Sequence, residues 1–114
     1  MKMKLDLPFP PGILNPNSRK HWRPHSKAKK KYRQDCHWLS QHLRPEIGKG
    51  IIYLEITFHP PDKRKRDKDN MIAAFKAGQD GMADAWCVDD SLFNTSYHIG
   101  DVVKHGRVSI EIDQ

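Results

Sequence analysis

Hydrophobic and polar positions alternate at the start of the chain. Leu5, Leu7 and Phe9 share one side, with Lys4 and Asp6 on the other. That period of two predicts a strand over residues 3–9, ended by Pro10-Pro11. Residues 10–25 are rich in Pro, Asn and basic side chains and read as a long loop or arm. From Ser26, a suitable N-cap, the period changes. Tyr32, Cys36, Leu39 and Leu43 follow at spacings of 4, 3 and 4, one apolar helical stripe opposite a face of Lys and Arg. Pro45 stops that helix, and Gly48 and Gly50 mark a turn. Residues 51–58 alternate again, with Ile52, Leu54, Ile56 and Phe58 on one face and Ile51, Tyr53, Glu55 and Thr57 behind them. Pro60-Pro61 ends this strand. A second helix is predicted over about residues 71–85, capped by Asp69 or Asn70. Its buried face would be Met71, Ala74, Phe75, Gly78 and Met82. Gly78 and Gly81 lower helix propensity and so point to close packing. After a turn at Asp89-Asp90 come two more extended pieces, about 92–103 and 107–112. Lys104-His105-Gly106 would join them as a hairpin, with Val108, Ile110 and Ile112 facing inward.

The predicted order is β-α-β-α-β-β, without repeat or internal boundary. It suits an α+β fold, a small mixed sheet with two helices on one face, as a single domain over residues 1–114. Hydrophobic residues make up 37% and charged residues 30% of the 114, so the core is modest and contacts with an oligomer or ligand would add to stability. No apolar run approaches the ~18 residues of a membrane span. The first residues, MKMKLDLPFPP, lack the apolar core of a signal peptide. Two cysteines, Cys36 and Cys87, make no disulfide framework, and a cytoplasmic location is expected. The charge changes the picture more. Twenty Lys and Arg against 14 Asp and Glu leave +6, which points to a polyanionic partner, most often nucleic acid.

That charge is unevenly laid out. Arg19, Lys20, Arg23, Lys27, Lys29, Lys30, Lys31 and Arg33 fall in one stretch without an acid. Lys63-Arg64-Lys65-Arg66 runs straight into Asp67-Lys68-Asp69. Between Lys76 and Lys104 there is no Lys or Arg, but Asp80, Asp84, Asp89, Asp90 and Asp101. Carboxylates repel phosphate, so a pure nucleic-acid binder has little use for them. An enzyme that sets a divalent cation beside a phosphate uses both signs. Asp67 and Asp69 are two apart and share a side if the segment is extended. A helix of about 15 residues is roughly 22 Å long, so Asp90, beyond its far end, reaches Asp67 only if the returning strand carries it back. Three such carboxylates would suit Mg²⁺ or Mn²⁺. Arg66, Lys76 and the basic loop would then hold the phosphodiester. The plainer readings stay open: Asp69-Asn70 as a helix cap, Asp89-Asp90 as a turn, the basic runs as solvated faces. Trp22 and Tyr32, interleaved with the first basic run, favour phosphate binding there. His21 and His25 are four apart, but Pro24 would break the helix such a ligand pair needs. Cys36-His37 with Cys87 lacks zinc spacing.

The run Lys63-Arg64-Lys65-Arg66-Asp67-Lys68-Asp69-Asn70, a helix, and a D-D pair about twenty residues on resemble the RusA family of Holliday junction resolvases. Leu7-Pro8-Phe9-Pro10-Pro11, His59-Pro60-Pro61-Asp62 and the last strand are similar to that family too. The resemblance implies an α+β homodimer that resolves four-way DNA junctions by paired symmetric nicks, with Mg²⁺ or Mn²⁺ as cofactor. It implies Asp67, Asp69 and Asp90 as metal carboxylates, Arg66 as the basic neighbour of the first, and Asn70 as support for the site. Ala73 stands where family members commonly carry a Lys, and Lys76, three residues on, is the expected substitute as catalytic and phosphate-binding side chain. Arg64, Lys68, Lys27, Lys29, Lys30, Lys31 and Arg33 complete the expected DNA surface. A two-fold dimer would present two copies of one site to a nearly two-fold junction. The competing expectation is a non-enzymatic basic DNA- or RNA-binding module.

Overall fold

A computed structural model describes residues 2–16, 22–45 and 50–114, with the side chains of Trp22 and Arg23 not described. Four strands and two helices follow in the order β1 (Met3–Leu7), α1 (Trp22–Ser40), β2 (Ile52–His59), α2 (Lys68–Trp86), β3 (Phe93–Ile99) and β4 (Arg107–Asp113). The fold is α+β, with one mixed sheet in the order β1-β4-β2-β3.

Alternation builds that sheet as expected. Leu5, Leu7, Ile52, Leu54, Ile56, Phe58, Val108, Ile110 and Ile112 all turn to one face and are buried there. Both helices cover this face. Tyr32 and Cys36 from α1 and Met71, Phe75, Met82 and Trp86 from α2 complete a single hydrophobic cluster. Rings meet edge-on where α2 crosses the sheet, Phe75 against Phe58 at 5.7 Å and Trp86 against Phe93 at 5.8 Å.

The expected hairpin is not formed. β4 pairs antiparallel with both β1 and β2, while β3 pairs parallel with β2 on the opposite side. β2 therefore lies between the two strands that Lys104-His105-Gly106 was expected to join. The physical reason is the crossover. A parallel pair needs a long connection, and α2 supplies it. The segment after β3 then passes over the end of β2, where the Gly100 and Val103 N–H groups donate to Phe58 O at 2.9 Å and Pro60 O at 3.0 Å. His105 and Gly106 both adopt positive φ, 68° and 74°, to reverse the chain into β4.

Helix boundaries differ as well. α1 starts at Trp22, so residues 22–25 are helical rather than part of an arm, and Ser26 lies inside the helix. Pro24 does not break it. It sits in the first turn, where a missing N–H costs no intrahelical bond. His21 lies outside the described residues, as does Gly48. Upstream, Gly12–Leu14 forms one 3₁₀ turn. The buried stripe of α1 also rotates at its end. Leu39 is 44% exposed, and Ser40 takes the inward position, its carbonyl accepting the Trp86 indole N–H at 2.9 Å. α2 starts three residues earlier than expected and is capped by Asp67 rather than Asp69 or Asn70.

The two helices touch at the glycines. A Cβ at Gly81 would collide with the Arg33 carbonyl, and one at Gly78 would meet the Phe75 and Tyr32 rings. The Tyr32 hydroxyl donates to Pro8 O at 2.6 Å and so ties α1 to the end of β1. Burial raises the Tyr32 phenol well above its ordinary value and pushes the Cys36 thiol up to about 12, so neither ionises near neutrality. Among the described residues no helix is long and apolar enough to cross a membrane.

Gly81→Ala is expected to push α1 off α2 and cost about 1–3 kcal/mol, the range for overpacking a core. Gly12→Ala, with open space around the new Cβ, is expected to leave the urea midpoint within experimental error. Equal midpoints for the two variants would refute the close-packing role.

Candidate metal and nucleic-acid site

The N-terminus of α2 carries the first candidate cluster. Asp67 is extended (φ −84°, ψ 127°), and its side chain accepts the Asp69 N–H at 2.8 Å. This is an N-cap bond, which satisfies one of the orphan N–H groups of the first turn. The segment Asp67-Lys68-Asp69 is thus a cap and the start of a helix, not an extended strand. Both carboxylates remain exposed. They partly offset the positive end of the helix dipole, which by itself attracts anions rather than cations.

The loop before the cap is organised by Asp62. Its carboxylate accepts the Arg64 N–H at 3.0 Å and Arg66 Nη1 at 2.8 Å, and Arg66 Nη1 also donates to the carbonyls of Asp62 and Arg64. The Arg66 guanidinium lies 5.8 Å from the centre of the Phe9 ring. With 18% of its side chain exposed, Arg66 is set firmly, whereas Arg64 stands 81% exposed beside it. The Arg66 hydrogen bond holds the Asp62 carboxyl down at about 2.

A second charged cluster lies along the side of α2. Lys76 Nζ sits 2.6 Å from Asp90 Oδ2 and 3.2 Å from Asp80 Oδ1. Arg33 on α1 donates through Nε and Nη2 to the two Asp84 oxygens at 2.7 and 3.0 Å and lies 4.0 Å from Asp80. The charges alternate along a chain, Asp84, Arg33, Asp80, Lys76, Asp90, which ties α1, α2 and the approach to β3 together. The bond to Asp90 raises the Lys76 pKa, and the Arg33 bond lowers that of Asp84. Asp89 caps the single 3₁₀ turn Asp90–Leu92 by accepting the Ser91 N–H at 2.9 Å, which lowers its own pKa.

The structure therefore places Asp67 and Asp69 in one helix cap, the Asp67 carboxylate on the Asp69 N–H, and separately brings Asp90 to Lys76. The two groups are seven residues apart on one helix at their nearest backbone positions, Asp69 and Lys76, which is about 10 Å of rise. Among the described residues no group of three His, Cys, Asp or Glu side chains is placed to hold one metal ion. Two exposed carboxylates still fit a hard cation that keeps most of its waters and takes its remaining oxygens from a phosphate, as Mg²⁺ commonly does. Of the expected DNA-contacting cations, Lys27, Lys29 and Lys30 are exposed on α1, and so are Arg64 and Lys68. Lys31 pairs with Asp35 at 2.8 Å, and Arg33 is engaged with Asp84. The sequence reading missed Asp62 and Asp80 as partners. Asp80 could have been found from its i,i+4 spacing to Lys76 on a predicted helix. Asp62 stands at the same spacing from Arg66 in a loop, where that spacing carries no signal.

No protein-family profile matches the chain. It is 40% identical over 116 residues to an uncharacterized protein of Xylella fastidiosa, an alignment that covers 95% of this chain and 74% of the relative. The chain belongs to the same family as that protein.

In the Arg66→Gln variant the Asp62 carboxyl is expected to titrate closer to the ordinary 3.8 than to its present value of about 2. Because the native pKa is the lowered one, the Asp62–Arg66 contact persists on acidification and is lost only as pH falls through the native value. Carboxyl ¹³C shifts followed by NMR against pH check this. An unchanged Asp62 midpoint in the variant would show that Arg66 does not set it.

Proposed function

We propose that this protein is a metal-dependent, structure-selective DNA endonuclease, with the four-way junction as substrate and a homodimer as the working unit. The observation that carries this is the convergence at one end of α2 of two carboxylates, Asp67 and Asp69, with the cationic loop of Arg64, Lys65 and Arg66. The order of motifs that resembles the RusA family supports the same reading. Asp67 and Asp69 are assigned as ligands of Mg²⁺ or Mn²⁺, which when bound would activate water and stabilise charge on the phosphate. Arg64, Arg66 and Lys68 are assigned to the DNA backbone, and the lysines of α1 extend that surface. Asp90 is assigned as a further carboxylate that becomes available when Lys76 leaves it for a phosphate oxygen, a competition between two anions for one ammonium.

One observation favours the rival reading of a non-enzymatic DNA- or RNA-binding module. Asp67 already has a structural task as a cap, and Asp89 and Asp90 shape a turn. The two readings differ in what Asp69→Asn does. For the nuclease, junction binding persists while nicking in Mg²⁺ falls on the order of 100-fold or more, since metal charge stabilisation contributes several kcal/mol. A synthetic four-way junction, compared with three-way and linear duplexes at equal salt, is the substrate to use. Binding should weaken steeply as salt rises. Wild-type nicking by Asp69→Asn would remove the metal assignment. Junction binding without cleavage in either cation would establish the binding module instead.

A further inference from the structure

A cleft of about 530 Å³ opens beside the first turn of α2. That volume lies within the range of small-ligand sites. Its floor is apolar, with Phe9, Pro61 and Met71, and its rim carries Arg64, Arg66 and Asn70. Among the described residues the cleft lining holds three cations, Arg64, Lys65 and Arg66, and no carboxylate. Asp62, outside the lining, pairs with Arg66 at 2.8 Å and with Arg64 at 3.7 Å, so one carboxylate stands against three cations. The Phe9 ring is fixed in place. A Cβ at Gly106 would lie 2.7 Å from the Phe9 Cβ and 3.0 Å from its ring, and the Arg66 guanidinium lies 5.8 Å from the ring centre. Aromatic rings and guanidinium groups are the surfaces on which unstacked bases rest, and an amide such as Asn70 offers both a donor and an acceptor to a base edge.

We infer that this cleft is a subsite for one unpaired nucleotide, its base on the Phe9–Arg66 platform and its phosphate against Arg64 and Lys65. The inference rests on the reading of this face as a DNA site and names what the face holds beyond a phosphate track. At the crossover of an opened junction each terminal base pair lacks one stacking neighbour, so a nucleotide there is drawn out at lower cost than one inside an intact duplex. Asn70 and Met71 directly follow Asp69, so a nucleotide seated here leaves its neighbouring phosphodiester on the side of Asp67 and Asp69.

The test is an NMR titration of the full chain without divalent metal, using deoxyadenosine monophosphate, deoxyadenosine and inorganic phosphate as separate probes. The nucleotide should shift the amides of Phe9, Gly12, Asn70 and Ala74 saturably, and bind at least about tenfold more tightly than either fragment alone. Phe9→Leu, which keeps apolar volume but removes the ring, should weaken it about tenfold, within the range of one base–aromatic stack. Arg64→Gln, at a side chain too exposed to affect folding, should weaken it as well. No saturable shift at these amides, equal affinity for phosphate alone, or undiminished binding by both variants would overturn the subsite. Nucleotide binding in a protein that nicks no junction would retain the subsite and remove the nuclease. Junction nicking with a silent cleft would do the reverse.

Discussion

The parallel pairing of β2 with β3 constrains everything else in this molecule. A parallel pair obliges the chain to travel back along the sheet, and α2 makes that return. Its N-terminus follows the end of β2, and its C-terminus leads into the start of β3. The ring contacts record this direction, since Phe75 meets Phe58 near the end of β2 while Trp86 meets Phe93 at the start of β3. Acids placed before and after the helix are therefore held apart by its length. Asp67 and Asp69 share the end with the basic loop. Asp89 and Asp90 arrive on the far side and come back only as far as Lys76.

Packing and charge contribute differently to this arrangement. The sheet face, α1 and α2 share one apolar cluster, and burial of these side chains supplies the main driving force. Gly78 and Gly81 let the helices approach closely enough for Arg33 to reach Asp84 and Asp80. The resulting ion pairs are substantially exposed, so each adds little to stability. Their effect is on position. They choose which carboxylates are neutralised, and they leave Asp67 and Asp69 out of the chain of alternating charges.

Much of this could be read from the residues before any coordinates. The period-two runs around Leu5, Leu7 and Ile52–Phe58 define β1 and β2 because each strand buries a single face. The spacing of Met71, Ala74, Phe75, Gly78 and Met82 defines the inner side of α2. The partner of β3 was not legible, because a short loop with Gly106 signals a hairpin whether or not its flanking strands are neighbours. Nor was the cap. Asp67, Asp69 and Asn70 are all good N-caps, and only the position where the backbone leaves the extended region decides among them. Leu39 lost its inward place to Ser40 because of a tertiary contact, the hydrogen bond from the Trp86 indole. Local periodicity carries no trace of such a contact. In the candidate site, the spacing of Asp67 and Asp69 signalled a shared side only for an extended segment, whereas the structure makes Asp67 a cap and Asp69 part of the first helical turn, joined by a carboxylate-to-backbone bond. The engagement of Lys76 with Asp80 and Asp90 depends on a crossover that joins residues distant in sequence.

The central claim is that the capped end of α2, where Asp67 and Asp69 meet the Arg64–Arg66 loop, is the place where this protein takes up a hard cation. Paramagnetic broadening by substoichiometric Mn²⁺ on the ¹⁵N-labelled chain tests it most directly. The amides of residues 67–70 should broaden first, those of 89–91 later, and the exposed sheet face around Glu55 and Glu111 last. Broadening centred on Glu55 and Glu111, or none at residues 67–70 when Mn²⁺ reaches equimolar protein, would contradict it.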